Sequence, residues 1–569
     1  MSPESIAEFS LRADAMTFVV RDAEAARAYA EGKPDIYVSK TLSGGFGVLY
    51  VLASASERVL ADLGMQPVLY LAPIVGLLGA AELDAAQITP LQTQPYVKLR
   101  GEGTLLAFVD TGIDYTLPAF RYEDGTTRIR YLWDQTVAGT PPDGYLLGRE
   151  FSEVELNEAL DRPDPFAAVP SRDELGHGTF LASVAGSRET GDYIGGAPDA
   201  EFIIVKLKPA SAAYRTQYLT PPEAEGVYEA ASLVLGIAYV LEKAHELGMP
   251  VSFCLSVGNN LGSHDGYGIV EEYLSLVSHT SGVALSVATG NENTLRHHAQ
   301  GVVDVGTPQE VEIVVEEGSY SFPVTVWSNA TDRLSVSVRS PTGEVVPRVP
   351  AQSGVTLVTH LLFEPSTVTV SYTFPITGNG SQLTSVRIVD PTPGIWTITV
   401  YGDVVLDGTF DAYLPAGGMV SPGVVFIRPS PDGTESSIST ASGAVACAAY
   451  DAKTNSLYAY SSWGPTRGGG IAPDLAAPGV DVAGIYPGDA RGTMSGTSVA
   501  AAITAAAAAL MLEWGIVRGN ESNMNTYLIK ANLIRGCTRD AGTTYPNVRW
   551  GYGKLNLLDS FRLMRGFTG

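Results

Sequence analysis

Three polar residues, far apart in the chain, have the chemistry of a proton relay. Ser498 stands in Gly492-Thr493-Met494-Ser495-Gly496-Thr497-Ser498-Val499-Ala500-Ala501, a glycine-loosened turn that leads into a small apolar run. The run from Ala501 to Leu512 predicts a helix buried on all sides, with Ser498 at its N-terminus. Aligned peptide dipoles there favour negative charge, which suits a serine becoming an alkoxide and then an acyl ester. His177 lies between two glycines in Glu174-Leu175-Gly176-His177-Gly178-Thr179, just before an apolar stretch from Phe180 to Val184. Asp110 ends the run Leu105-Leu106-Ala107-Phe108-Val109, as an acid does at the carboxyl end of a buried parallel strand. A free serine is a weak nucleophile and needs an adjacent base. His177 can take its proton and pass it to a leaving amine, while an acid orients the imidazole and stabilises its cation. Taken singly, each residue has an ordinary structural reading: a turn serine, a structural histidine, a capping acid.

The three segments together are specific. Asp-Thr-Gly-Ile-Asp at 110–114, Gly-His-Gly-Thr at 176–179 and Gly-Thr-Ser-x-Ala at 496–500 occur in the chain order Asp, His, Ser. In these motifs the chain resembles the subtilisin-like serine proteases. The resemblance implies that Asp110, His177 and Ser498 are the catalytic triad. It implies that Asn291, in Ala288-Thr289-Gly290-Asn291, donates to the oxyanion with the Ser498 backbone N–H as second donor, and that Asp114 is a supporting acid. It also implies that Ser256-Val257-Gly258, with Thr289 and Gly290, binds an extended substrate by backbone hydrogen bonds. Asn259 departs from the pattern, since many subtilisins have a second glycine there. The expectation is a narrowed first specificity pocket and limited processing rather than general degradation.

The elements that must hold these residues follow from periodicity. From Leu105 to Ala299 strand-like runs alternate with helical ones: strands at Asp199–Lys206, Pro250–Val257 and Val283–Thr289, helices at Pro222–Leu247 and Ile269–His279. That alternation predicts an α/β fold, a parallel sheet with helices on both faces, and ligands then sit at the carboxyl ends of the strands. Asp110, Ser256 and Asn291 all fall at such ends. Between about 304 and 414 the pattern changes to short β-branched runs separated by turns such as Gly378-Asn379-Gly380, which predicts an inserted β-sandwich or jelly roll. The α/β pattern resumes for 415–569. Residues 1–80 read as β-α-β-β-α-β, a small ferredoxin-like plan with a last strand at Pro67–Leu71. By the resemblance this is a propeptide whose tail occupies the active site until the enzyme cuts it, at a bond between about Ala72 and Ala85. Residues 81–303 then form the first part of the protease domain.

The inserted β region, Gly262-Ser263-His264-Asp265-Gly266, the pair His297-His298 and the polar N-terminus resemble the clostridial germination-protease (Csp) group. The implied substrate is the zymogen of a cortex-degrading enzyme in spores. Two other readings stay open: a general intracellular bacterial peptidase, and a catalytically silent pseudoprotease that acts by binding.

The chain has 569 residues and a formal net charge of −25, which argues against nucleic acid and anionic membranes as partners. The expected partners are a protein substrate and the chain's own propeptide. Met1–Met16 lacks the apolar core of a secretory signal, so the expected location is cytoplasmic, within the spore on the subgroup reading. Cys254, Cys447 and Cys537 are odd in number and widely spaced, and suggest neither a disulfide framework nor a zinc site. His264, His297 and His298 lack a matching ligand cluster, so no metal or other cofactor is expected. The helix beginning at Ala501 reads as too short to span a bilayer.

Overall fold

The computed structural model describes residues 15–20, 22–33, 36–38, 47–63, 81–376 and 378–565. The chain divides into two compact units, Met1–Leu77 and Leu78–Gly569. In the first, the strands Ala15–Val20, Gly47–Leu52 and Ile36–Val38 form an antiparallel sheet in that order. Helices Ala23–Ala30 and Ala53–Asp62 accompany them, the former capped by Asp22, whose carboxylate accepts from the Glu24 and Ala25 N–H groups. Ala26, Ile36, Leu49, Val51 and Val59 make its core. The expected last strand, Pro67–Leu71, lies outside the described residues.

The second unit is built on a nine-stranded sheet. Its centre is parallel, in the order Val445–Asp451, Val283–Ala288, Val251–Leu255, Leu105–Asp110, Glu201–Lys206, Ile129–Asp134. Arg149–Ser152 and Ser456–Leu457 add antiparallel edges, and Leu475–Pro478 pairs parallel with Val445–Asp451. The central parallel sheet is the one expected, with antiparallel strands added at its edges. Leu105–Asp110 is buried along its whole length, and its side chains alternate between faces. Leu106 and Phe108 join one apolar cluster with the helices that begin at His177 and Thr497. Leu105, Ala107 and Val109 join another with the helix Ala230–Leu247. That last helix starts eight residues later than the periodicity suggests. Pro221 and Pro222 precede it, and Gly226 turns the chain through a positive φ.

The helix Thr497–Leu512 runs through the middle of this layer, and every residue of it except Ser498 is buried. A π-helical turn, Glu513–Val517, extends it. The 21 residues Thr497–Val517 are long and apolar enough to cross a membrane, which corrects the shorter length read from the sequence, and 89% of the window is buried inside the protein. The apolar character is that of a central core helix.

Between Ala288 and Val445 the chain leaves the sheet and returns to the adjacent parallel position. The intervening residues form two antiparallel sheets of six and five strands that share one apolar cluster, including Val324, Val370, Ile388, Val336, Trp396 and Ile398. This β-sandwich begins at His298–Val302 and closes with Val424–Phe426, wider than 304–414. The first of these strands is polar and the last has three residues, so neither carries a clear alternation.

Buried polar contacts join the sandwich to the sheet region. Arg467 pairs with Asp265, both side chains 5% exposed, and also reaches the Ser263 carbonyl, Asn329 Oδ1 and Ser381 Oγ. The Tyr413 ring stacks on His264 at 3.9 Å and on His298 at 4.5 Å. Burial pushes the His264 imidazole down to about 4, so it is neutral at physiological pH. Arg467→Ala would strand the Asp265 charge in the interior, at a cost of about 3–5 kcal/mol. A drop of several degrees or more in the thermal unfolding midpoint is the expected measurement.

Candidate active site

Asp110 is the last residue of the central strand, and its carboxylate is 1% exposed. It accepts from the Thr111 N–H at 2.7 Å, from His177 Nδ1 at 2.7 Å and from Ser256 Oγ. Burial alone would raise its pKa. The His177 charge and hydrogen bond, with the bonds from Ser256 and Thr111, outweigh burial and hold it below the usual carboxylate value. An ionised carboxylate only accepts, so Nδ1 of His177 carries the proton and Nε2 is left as the base.

His177 opens the helix His177–Gly186, whose N-cap Gly176 has φ 76°. Burial lowers the imidazole pKa, but the Asp110 charge and hydrogen bond reverse that and raise it above the ordinary value. A second buried acid builds this helix start. Asp173 accepts from Thr111 Oγ1 at 2.7 Å, the Gly176 N–H at 2.8 Å, the Thr179 N–H at 2.8 Å and Thr179 Oγ1 at 2.7 Å. It binds the loop after Asp110 to the loop before His177 and so sets their separation. Sequence reasoning missed it; the only signal was an acid four residues ahead of His177. Gly178 must be glycine, because a Cβ there would lie 2.3 Å from the Gly112 carbonyl oxygen. Asp114 accepts from the Thr116 and Gly488 N–H groups.

Ser498 is the second residue of its helix and is half-buried. Asn291 lies beside it. Asn291 Oδ1 accepts from the Thr497 N–H at 3.0 Å and from Thr497 Oγ1 at 3.3 Å, while Thr497 Oγ1 accepts from the Gly290 N–H at 3.1 Å. The Thr497 N–H therefore dictates which end of the Asn291 carboxamide faces which way. Among the described residues neither Asn291 Nδ2 nor the Ser498 N–H has a hydrogen-bond partner. Two donors without partners among the described residues, close to a serine hydroxyl, are the groups that an oxyanion site requires. The His177 and Ser498 helices pack against each other. Ser498 Oγ makes no hydrogen bond to His177 or to any other described group. Such contacts are often long without substrate and tighten in the reactive complex.

The segments expected to bind substrate touch the site through Ser256, bonded to Asp110, and Gly290, bonded to Thr497. Ser256 follows the strand Val251–Leu255 directly, and its hydroxyl is spent on Asp110. Val257 and Gly258 continue beyond that strand, half-buried. Thr289 is buried, with its hydroxyl on the Cys447 carbonyl. Gly290 has φ 104°, and its carbonyl accepts from the Ser462 N–H. Asn259 Oδ1 accepts from the Leu261 and Gly262 N–H groups, so its carboxamide oxygen is turned onto its own loop.

Among the described residues no group of three or more His, Cys, Asp or Glu is placed to hold a metal ion. His297 is bound to Glu292 and His298 to Asp411, while His264 reaches the Asn260 carbonyl.

Two outcomes test this geometry. Activity on a peptide amide falls on the acid side as Nε2 of His177 is protonated. The midpoint of that limb in kcat/KM lies above the ordinary histidine value of 6.5. Asn291→Ala removes one oxyanion donor and lowers kcat by about 10²–10³ with KM little changed, read from initial rates.

The model of the subtilase family matches residues 101–553. The CspB protease of Clostridium perfringens superposes with a TM-score of 0.75 at 28% sequence identity, over 85% of this chain and 99% of that one. The protease domain of PatA, solved as a serine-to-alanine mutant, aligns over 82% of this chain and 98% of that one, with 16% identity and a TM-score of 0.40. No curated protein sequence gives a significant match.

Proposed function

The chain belongs to the subtilase family and is a subtilisin-like serine peptidase; from that premise we propose that it is made as a zymogen, removes its own N-terminal unit and then performs limited proteolysis. The observation that carries the catalytic reading is the Asp110–His177 pair, together with a helix that presents Ser498 beside two unpaired donors. The full set of Asp110, His177, Ser498 and Asn291 supports catalysis over a silent binding role.

The N-terminal unit acts as the propeptide in this reading, and its tail occupies the active site until it is cut. Support comes from its separate compact fold, Met1–Leu77, ahead of the matched residues 101–553. The physiological substrate is the zymogen of a spore cortex hydrolase, cleaved within the spore during germination. That step is supported by the likeness to the C. perfringens CspB protease along 85% of the chain, together with the sequence resemblance to the Csp group. The acidic chain, at −25, disfavours nucleic acid and anionic membranes as alternative partners.

The test is a gel and a mass. Purified wild type splits into a small N-terminal fragment and a large one, with the new N-terminus between about Ala72 and Ala85. Ser498→Ala stays whole. An uncut wild-type chain, or a Ser498→Ala chain cut at the same bond, would overturn the zymogen reading. Adding mature enzyme to a cortex-hydrolase zymogen then shows whether one discrete bond is cut.

A further inference from the structure

We propose that the edge strand of the sandwich, Thr356–His360, pairs with the same strand of a second copy of this chain, about a twofold axis through Val358. The six-stranded sheet ends at this strand, which pairs on one side with Thr367–Thr373 and on the other with no described strand. The Leu361 N–H donates to the Ser366 carbonyl at 3.0 Å, one step beyond the paired residues His360 and Thr367. In an antiparallel pair the backbone groups turn inward and outward alternately. Leu361, Thr359 and Leu357 therefore direct theirs to the neighbouring strand, and Thr356, Val358 and His360 direct theirs outward.

Sheet edges are commonly protected by charge, proline or a bulge. The five-stranded sheet is protected in this way. Its edge strand Val345–Val349 contains Pro347 and Arg348, and its register shifts between Val336 and Val338 of the strand beside it. Thr356–His360 has no proline, no Lys, Arg, Asp or Glu, and no break in its register. Its apolar side chains are left open as well. Leu357 shares a face with its pair partner Val370, which is 0% exposed, yet Leu357 itself is 40% exposed and Val358 is 52% exposed. Just beyond the strand, Leu362 and Phe363 are 85% and 83% exposed. Their backbone is held in place: the Glu344 carboxylate accepts from the Leu362 N–H at 2.8 Å and from the Phe363 N–H at 3.1 Å.

Symmetry and charge select a second copy as the occupant. The outward row is centred on Val358, so antiparallel pairing of the strand with itself sets Val358 against Val358 and Thr356 against His360. Every outward donor then meets an acceptor, and the contact closes on itself as a twofold dimer. Leu357 of each copy falls opposite Thr359 of the other, and Leu362 and Phe363 come against the start of the other strand. The charge of −25 makes copies of this chain repel one another over most of their surface. Residues 345–363 contain no Asp or Glu, and their one Arg or Lys, Arg348, is paired with Asp403. The flanking acids are occupied: Glu344 holds the two N–H groups, and Glu364, 9% exposed, accepts from Thr342 Oγ1 at 2.7 Å. Two copies can therefore approach along this edge without bringing acid against acid.

The test is mass in solution, read by analytical ultracentrifugation at micromolar concentration. Wild type, and Ser498→Ala as the uncut chain, are both expected at twice the mass of one copy, so the result does not depend on peptidase activity. Val358→Lys sets like charges face to face on the axis and should raise the dimer dissociation constant by about 100-fold or more. Val358 is exposed, so this change should move the thermal unfolding midpoint by no more than about 2 °C. Val358→Pro, which removes an outward N–H and leaves the bonds to the neighbouring strand, should weaken the dimer as well. Val358→Glu should be a monomer alone, and mixing it with Val358→Lys should restore the dimer, because a residue on the axis meets its own counterpart. A monomeric wild type, a Val358→Lys chain that still dimerises, or a mixture that stays monomeric would overturn the proposal. So would a monomer whose edge strand binds an extended peptide of another protein.

Discussion

The site depends on keeping one carboxylate ionised inside an apolar sheet. Asp110 is 1% exposed at the end of a strand whose other five residues are buried and apolar. Taking such a charge out of water costs several kcal/mol unless donors replace the solvent. Three do so here: a backbone N–H, a serine hydroxyl and an imidazole N–H. Each donor belongs to a different part of the chain. The carboxylate therefore gathers the start of the His177 helix and the end of the 251–255 strand around itself. The raised basicity of His177 is the other side of the same arrangement.

A second acid does for the backbone what Asp110 does for the side chains. Asp173 uses both oxygens on four donors, from the loop after Asp110, the loop before His177 and the first turn of the His177 helix. Gly112 and Gly178 allow those loops to touch backbone to backbone. The distance between Asp110 and His177 is thus held twice, once by their own hydrogen bond and once by the scaffold behind it. Such support matters because catalytic groups displaced by an ångström lose most of their advantage.

The Asp110–His177 pair and the helix that carries Ser498 were legible because these residues carry tight local constraints. Glycines flank His177, a small apolar run follows Ser498, and a buried strand ends at Asp110. The parallel core was also legible, from the alternation of strand-like and helical runs. What escaped reading has a common character. Asp173 gains its role from Thr111, 62 residues away in sequence. Nothing in the residues flanking Asp173 marks it. The antiparallel edge strands and the short closing strand of the sandwich are set by pairing, and carry no strong pattern of their own. Asn259 is visible in the sequence by its type, while the direction of its carboxamide oxygen is set by the loop that it caps itself.

The sandwich lies between two strands that end up side by side, Val283–Ala288 and Val445–Asp451. A ribosome delivers the first of these long before the second. Until the second arrives, the Val283–Ala288 strand has an open edge and the Ser498 helix has not been made. Nonlocal pairings of this kind slow folding and leave sticky edges exposed in the meantime. The antiparallel sandwich needs only its own residues for its core, so it can mature while the catalytic layer waits. Assembly order, and not only final architecture, therefore postpones the appearance of a reactive serine until the sandwich and the Val445–Asp451 strand have both been synthesised.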